Sequence, residues 1–303
     1  MISMKFFLKY QVLYISFFLT CIQANSQVPD FSKVPNLYDG DSVNITHLIN
    51  NGVKVSTEKA ICWFPKDSLS EEQMKNIADT ISRGIILAEK LIDAPLQWQA
   101  HPFNEPYTFY FRKDTIISHA SSAGFISISF WRIKTGRAPW LHEAMHEMLD
   151  TKTGSWNSRI SEEYQMKNMP LWLFEGMADY ISLQVSRSNN MKWFDVFSRS
   201  YQTDTDSLFL LDQKSEKGSY IVSHIGAKGI MPELFSKNRQ EYAPAFYHGS
   251  CSFVKWIAGK YGIKMLLAAI SAFDKEMETI ENLSGKHIDE LKKQWLDNLK
   301  RLN

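Results

Sequence analysis

The chain has only three cysteines, no internal repeat, no low-complexity tract and no apolar run long enough to cross a bilayer comfortably. Each absence excludes something. Three thiols in 303 residues are too few for a disulfide-built scaffold, and the two that lie beyond the N-terminal apolar run cannot make a cysteine-rich zinc site. Without a repeat there is no solenoid or propeller. Charge is balanced as well: 34 Lys and Arg against 33 Asp and Glu leave a net +1, which argues against a nucleic-acid partner or a polybasic membrane-binding protein. What is present is ordinary for a large globular domain. The chain is 44% hydrophobic and 13% aromatic, enough to bury a sizeable core.

The longest apolar run, YQVLYISFFLTCI at 10–22, follows Lys5 and Lys9. It is shorter than the roughly 20 residues a spanning helix needs. With Ala24 and Ser26 after it, the segment reads as a secretory signal over 1–26, giving a mature chain from Gln27 that is exported and not inserted in a membrane. An uncleaved anchor is the alternative. A lipoprotein linkage at Cys21 fits poorly, because bulky Leu19 stands where a small residue is usual. Export leaves Cys62 and Cys251, which either pair or remain buried thiols.

Residues 27–57 read as an irregular N-terminal segment, rich in turn formers. KAICWFP at 59–65 reads as a short buried strand. A helix follows, opened by the capping pair Ser70 and Gln73 and closed by Pro95. YTFYFRKD at 107–114 and GFISISFWRIK at 124–134 are β-rich, and the partial alternation of the second suits a sheet with one exposed face. After Pro139 the chain turns helical: WLHEAMHEML, a polar insertion at 151–169, PLWLFEGMADYISLQV with Pro170 in its first turn, helices across 246–273 broken near Gly262, and an amphipathic C-terminal helix at 288–299. The expectation is an α+β domain over 58–303, with a β-rich lobe at about 58–138, a helical lobe at about 139–303 and the histidines at their junction.

HEAMH places His142 and His146 one helical turn apart on one face, with Glu143 beside the first. Two imidazoles so placed can reach one ion while the glutamate stays near it unbound. A chance match at this histidine content is about one in a hundred, so a third ligand is the test. Glu175 can supply it, standing in the apolar segment LWLFEGMADY where a carboxylate needs a partner; the alternative is that Glu175 and Asp179 are both solvated on the polar face of that helix. Asp179, four residues on, can accept the far N–H of a ligating histidine.

HEAMH followed by LWLFEGMADY resembles the gluzincin clan of zinc metallopeptidases, and is most similar to its peptidase MA-like group. The likeness extends more softly over residues 58–300, through YHGSCSFVKWIAGKYG and LSGKHIDELKKQWLDNL. It implies a zincin-like, thermolysin-like two-lobe fold. It also implies zinc held by His142, His146 and Glu175, Glu143 as general base, Asp179 behind a histidine, and Tyr247 as a hydrogen-bond donor to the transition state. The implied reaction is hydrolysis of a peptide or protein substrate. Two departures stand out. Twenty-eight residues separate His146 from Glu175, more than in the aminopeptidase-type enzymes, and SSAGF at 121–125 lacks the glutamate that anchors a free amine there. The second favours an internal cut.

Weaker candidates have structural readings beside the functional ones. Tyr247 is as readily a core tyrosine. His248 reads as a surface or packing histidine, and His224 as a remote candidate for a substrate-side donor. Trp131, Trp140, Trp172 and Trp256 read as packing residues, Glu147 as a solvated charge, and AGFISIS as an exposed edge on which a substrate backbone can pair. Rival functions are a peptidase confined to glycosylated or cell-wall-linked substrates, and a non-catalytic scaffold that binds through the same cleft.

Overall fold

The computed structural model describes residues 41–93, 107–115, 118–121, 125–149, 161–189, 191 and 204–301. The expected signal segment, Pro95 and most of the 151–169 insertion lie outside them. The described chain is a mixed α+β structure. A small sheet comes first: helix α1 (Asp41–Asn51), strands β1 (Val53–Ser56) and β2 (Ala60–Phe64), helix α2 (Glu71–Ile92), then β3 (Tyr107–Arg112), β4 (His119–Ser121) and β5 (Phe125–Ser129). Helices follow: α3 (Phe130–Lys134), α4 (Trp140–Leu149), α5 (Glu162–Asn168), α6 (Leu171–Ser188), α7 (Thr205–Asp212), α8 (Glu216–His224), α9 (Arg239–Tyr261), α10 (Ile263–Ser271), α11 (Glu276–Ser284) and α12 (Ile288–Arg301).

The strand order is β1-β2-β3-β5-β4. The central pairs β2–β3 and β3–β5 are parallel, and both edges, β1 and β4, run antiparallel to their neighbours. Helix α2 makes the crossover between β2 and β3, as parallel pairing requires. Its start is the expected capping box: the Gln73 N–H donates to Ser70 Oγ at 3.2 Å and the Ser70 N–H to Gln73 Oε1 at 2.9 Å. The apolar stripe Met74, Ile77, Ile81, Ile85 and Ala88 belongs to one core with Cys62, Phe64, Phe109, Phe111, Ile126 and Ile128 of the sheet.

Four expectations about the sheet are corrected. The segment at 27–57 is not irregular where it is described. Residues 41–51 form α1, whose Ile45, Leu48 and Ile49 are buried at helical spacing, and 53–56 form β1. β5 has no exposed face; all five of its residues are buried. Nor is β5 an edge, since it lies between β3 and β4, and the outer strand on that side is β4. FWRIK does not continue the strand but turns into α3.

On the far side of the sheet from α2, a polar cluster fixes α1. Arg112 pairs with Asp41 and donates to Ser127 Oγ at 3.3 Å, while its Nε donates to Asp114 Oδ1 at 3.1 Å. His119 Nε2 lies 2.8 Å from Asp41 Oδ2. Cys62 in β2 and Cys251 in α9 are both free thiols, so the disulfide reading fails, and burial pushes both thiols well above their usual pKa.

Candidate metal centre

Three helices bring the candidate residues together. Helix α4 carries His142, Glu143 and His146, and every residue of it except His146 is buried. It is seated by Trp140, whose indole occupies the space beside Gly84 of α2; a Cβ on Gly84 would stand 2.4 Å from the ring. Helix α6 carries Glu175 and Asp179. The residue after Glu175, Gly176, lets α6 close on α9, since a Cβ there would lie 2.6 Å from the Ser250 carbonyl oxygen. That close approach brings Tyr247 of α9 to the site, with its ring centroid 6.0 Å from that of His142.

The ligand atoms converge. His142 Nε2 and His146 Nε2 stand 2.9 Å apart, and Glu175 Oε2 is 3.2 Å from the first and 3.3 Å from the second. Ligands about 2.0–2.1 Å from a tetrahedral zinc stand about 3.3 Å apart, so this triangle is close to one face of such a tetrahedron. Behind it, His142 Nδ1 donates to Asp179 Oδ1 at 2.8 Å. In the neutral ring that bond leaves the lone pair on Nε2, facing Glu175 and His146. Glu175 Oε2 is buried and accepts no well-aligned hydrogen bond, an arrangement that a shared cation explains. The three residues form a possible metal-binding triad.

The electrostatics agree with the donor set. Burial by itself would lower the His142 pKa, but Asp179 and Glu175 outweigh it and raise it well above the usual value. Burial would likewise raise the Glu175 carboxyl, yet His146 and His142 hold it far below the carboxylate range. Two carboxylates buried against two imidazoles thus favour a cation. The Tyr247 phenol moves up, from burial first and then from Glu175, so it keeps its proton and is a donor. Arg239 opposes this, while Asp179 and then Glu143 raise it further, which places all three carboxylates within electrostatic reach of that hydroxyl.

Other expectations fall differently. His248 is buried, with Nδ1 3.1 Å from Asp212 Oδ2 at the end of α7, so it ties α9 to α7. His224 is occupied at the end of α8, 3.1 Å from the Tyr220 carbonyl. Glu147 is not solvated; it is 3% exposed, within electrostatic reach of Tyr107 at the start of β3. Trp140 and Trp172 are core residues and Trp256 packs against the core, but Trp131 is 54% exposed. The two glycines that set the helix spacing, Gly84 and Gly176, had no distinguishing mark in the sequence except that Gly176 follows Glu175. Comparison with known proteins adds no relative: no family model, no curated protein and no solved structure matches the chain.

Proposed function

We propose that this chain is an exported zinc-dependent peptidase of the gluzincin kind, with a zincin-like fold, that cuts within peptide chains. The observation that carries the reading is the convergence of His142, His146 and Glu175 at 2.9–3.3 Å, with Glu143 beside them on α4. When bound, zinc supplies a polarising charge and lowers the pKa of water to about 7. The chain's own residues do the rest. Glu143 accepts a proton from water and returns it to the leaving amine. Tyr247, kept protonated by its surroundings, donates to the oxygen that gains charge as the carbonyl is attacked. Asp179 holds the His142 ring so that Nε2 faces the ligand cluster.

Substrate placement moves from β5 to β4. An extended peptide needs a strand edge with unpaired backbone groups, and β4 is the edge strand next to α4. The cut is proposed to be internal because SSAGF contains no acidic residue to hold a free amine.

The test is digestion of a complex peptide mixture, read by mass spectrometry, with Glu143→Gln as the blank and metal content measured on both proteins. Expected are new internal termini from the zinc-loaded wild type only, with turnover falling about 10²–10⁴-fold in the variant while its zinc is retained. Full zinc with no cleavage by the wild type would instead support a binding scaffold.

A further inference from the structure

The net charge of +1 conceals a local imbalance. Between Asp114 and Glu143 the chain has no acidic residue, while it carries Arg132, Lys134 and Arg137, with Lys113 just before it. The fold gathers these at α3. Lys113 Nζ lies 5.7 Å from the centroid of the Phe130 ring, Lys134 Nζ 5.2 Å from the same ring and 5.6 Å from that of Trp131. The Arg137 backbone N–H donates to the Arg132 carbonyl at 2.9 Å, so the chain at Arg137 folds back on the end of α3. Lys113, Lys134 and Arg137 are exposed, and none forms an ion pair with a described residue. The nearest acids are spoken for: Asp114 is bound by Arg112, and Glu143 is buried on α4. Trp131 stands on the same helix, more than half exposed, with Lys134 beside its ring.

We infer that α3 and Lys113 form a docking face for an anionic phospholipid surface. An exposed indole with Lys134 beside its ring, on a short helix with further cations close in the chain, matches a bilayer interface at both levels. The ring rests at the headgroup boundary, and the cations meet the negative leaflet. No described helix is long and apolar enough to cross a membrane, so the contact is a surface one. A soluble polyanion would use the cations but leave the indole exposed, which is why the lipid surface is preferred. Because α3 leads directly into α4, docking would hold the metal cluster near the membrane face.

The experiment is sedimentation of the full chain with vesicles of phosphatidylcholine alone, or with a third phosphatidylglycerol, at low and high salt. Binding is expected only to the anionic vesicles and should be released by salt. Each cation contributes about fivefold in partitioning, so replacing Lys113, Lys134 and Arg137 together by Gln should cost about a hundredfold. Trp131→Ala should weaken binding further while the thermal melt is unchanged. Three results overturn the inference: no binding to anionic vesicles; binding that ignores salt and the triple substitution, as insertion of the apolar run at 10–22 would; or binding to an anionic polysaccharide but not to vesicles. None of these depends on peptidase activity, so the inference and the proposed function fail separately.

Discussion

Among the described residues, the charge clusters around Arg112 and around His142 solve the same problem in opposite ways. Around Arg112 the charges close on themselves: a guanidinium meets Asp41 and Asp114, His119 meets Asp41, and Ser127 takes a remaining donor. Around His142 they do not close. Two ring nitrogens and a carboxylate oxygen point at one another over 2.9–3.3 Å, and that oxygen accepts no aligned hydrogen bond. A buried carboxylate satisfied by a guanidinium is structural; one left facing imidazole nitrogens could hold a metal ion.

Crossing the two clusters is the sharpest way to break this comparison. Arg112→Ala leaves buried Asp41 with His119 as its remaining partner and should cost about 3 kcal/mol, the low end for breaking a buried pair, read by denaturant unfolding, with zinc stoichiometry unchanged. His142→Ala and Glu175→Ala should show the reverse, losing zinc by elemental analysis. They should also lose the stabilisation expected of the wild type in saturating zinc, about 2.7 kcal/mol at a hundredfold excess over Kd. If the Arg112 variant lost metal while folded, or the triad variants kept it, the distinction would collapse.

The next effect in size belongs to Tyr247. Tyr247 is 8% exposed and its ring centroid lies 6.0 Å from that of His142, so Tyr247→Phe removes a donor without leaving a cavity. Turnover should fall about 10²–10³-fold with zinc retained, as for loss of one oxyanion donor. Little change in kcat would return Tyr247 to the core. Smaller again is Asp179→Asn. It keeps shape and some hydrogen bonding but no longer fixes the His142 tautomer, and zinc affinity should fall about 10–100-fold in a competition assay.

The triad was legible because its chemistry is written at fixed spacing: four residues on a helix put His142 and His146 on one face, and an acid in the apolar run LWLFEGMADY demanded a partner. The capping box of α2 and the amphipathic α12 were legible for the same local reason. What stayed hidden was non-local. Ile45, Leu48 and Ile49 carry a helical period, but the turn formers before them obscured α1, and only its docking through Asp41 and Arg112 shows why that helix forms. β4 is three residues long, too short for a period, so its insertion outside β5 could not be seen. Trp131 looked like a packing residue because an exposed tryptophan has no local signature; exposure is decided by what folds over it.

Acid separates the clusters a last time, and more gently. Burial would raise the Asp41 carboxyl, but His119 and Arg112 hold it below its ordinary value. A carboxyl depressed in the fold binds its proton more readily in the unfolded chain. Its stabilisation is therefore fully present above the unfolded value, about 3.9, and is lost as pH falls through the lower folded value. The Arg112 cluster should thus add a constant increment from neutrality down to about pH 5 and lose it below about pH 4. Asp41→Asn should be less stable than the wild type at neutral pH, and the gap should narrow as acid is added. Unfolding curves of the metal-free proteins from pH 7 to pH 3 measure it. A gap that widened in acid would mean that Asp41 is protonated already in the fold, and that the cluster is closed by hydrogen bonds rather than by opposed charge.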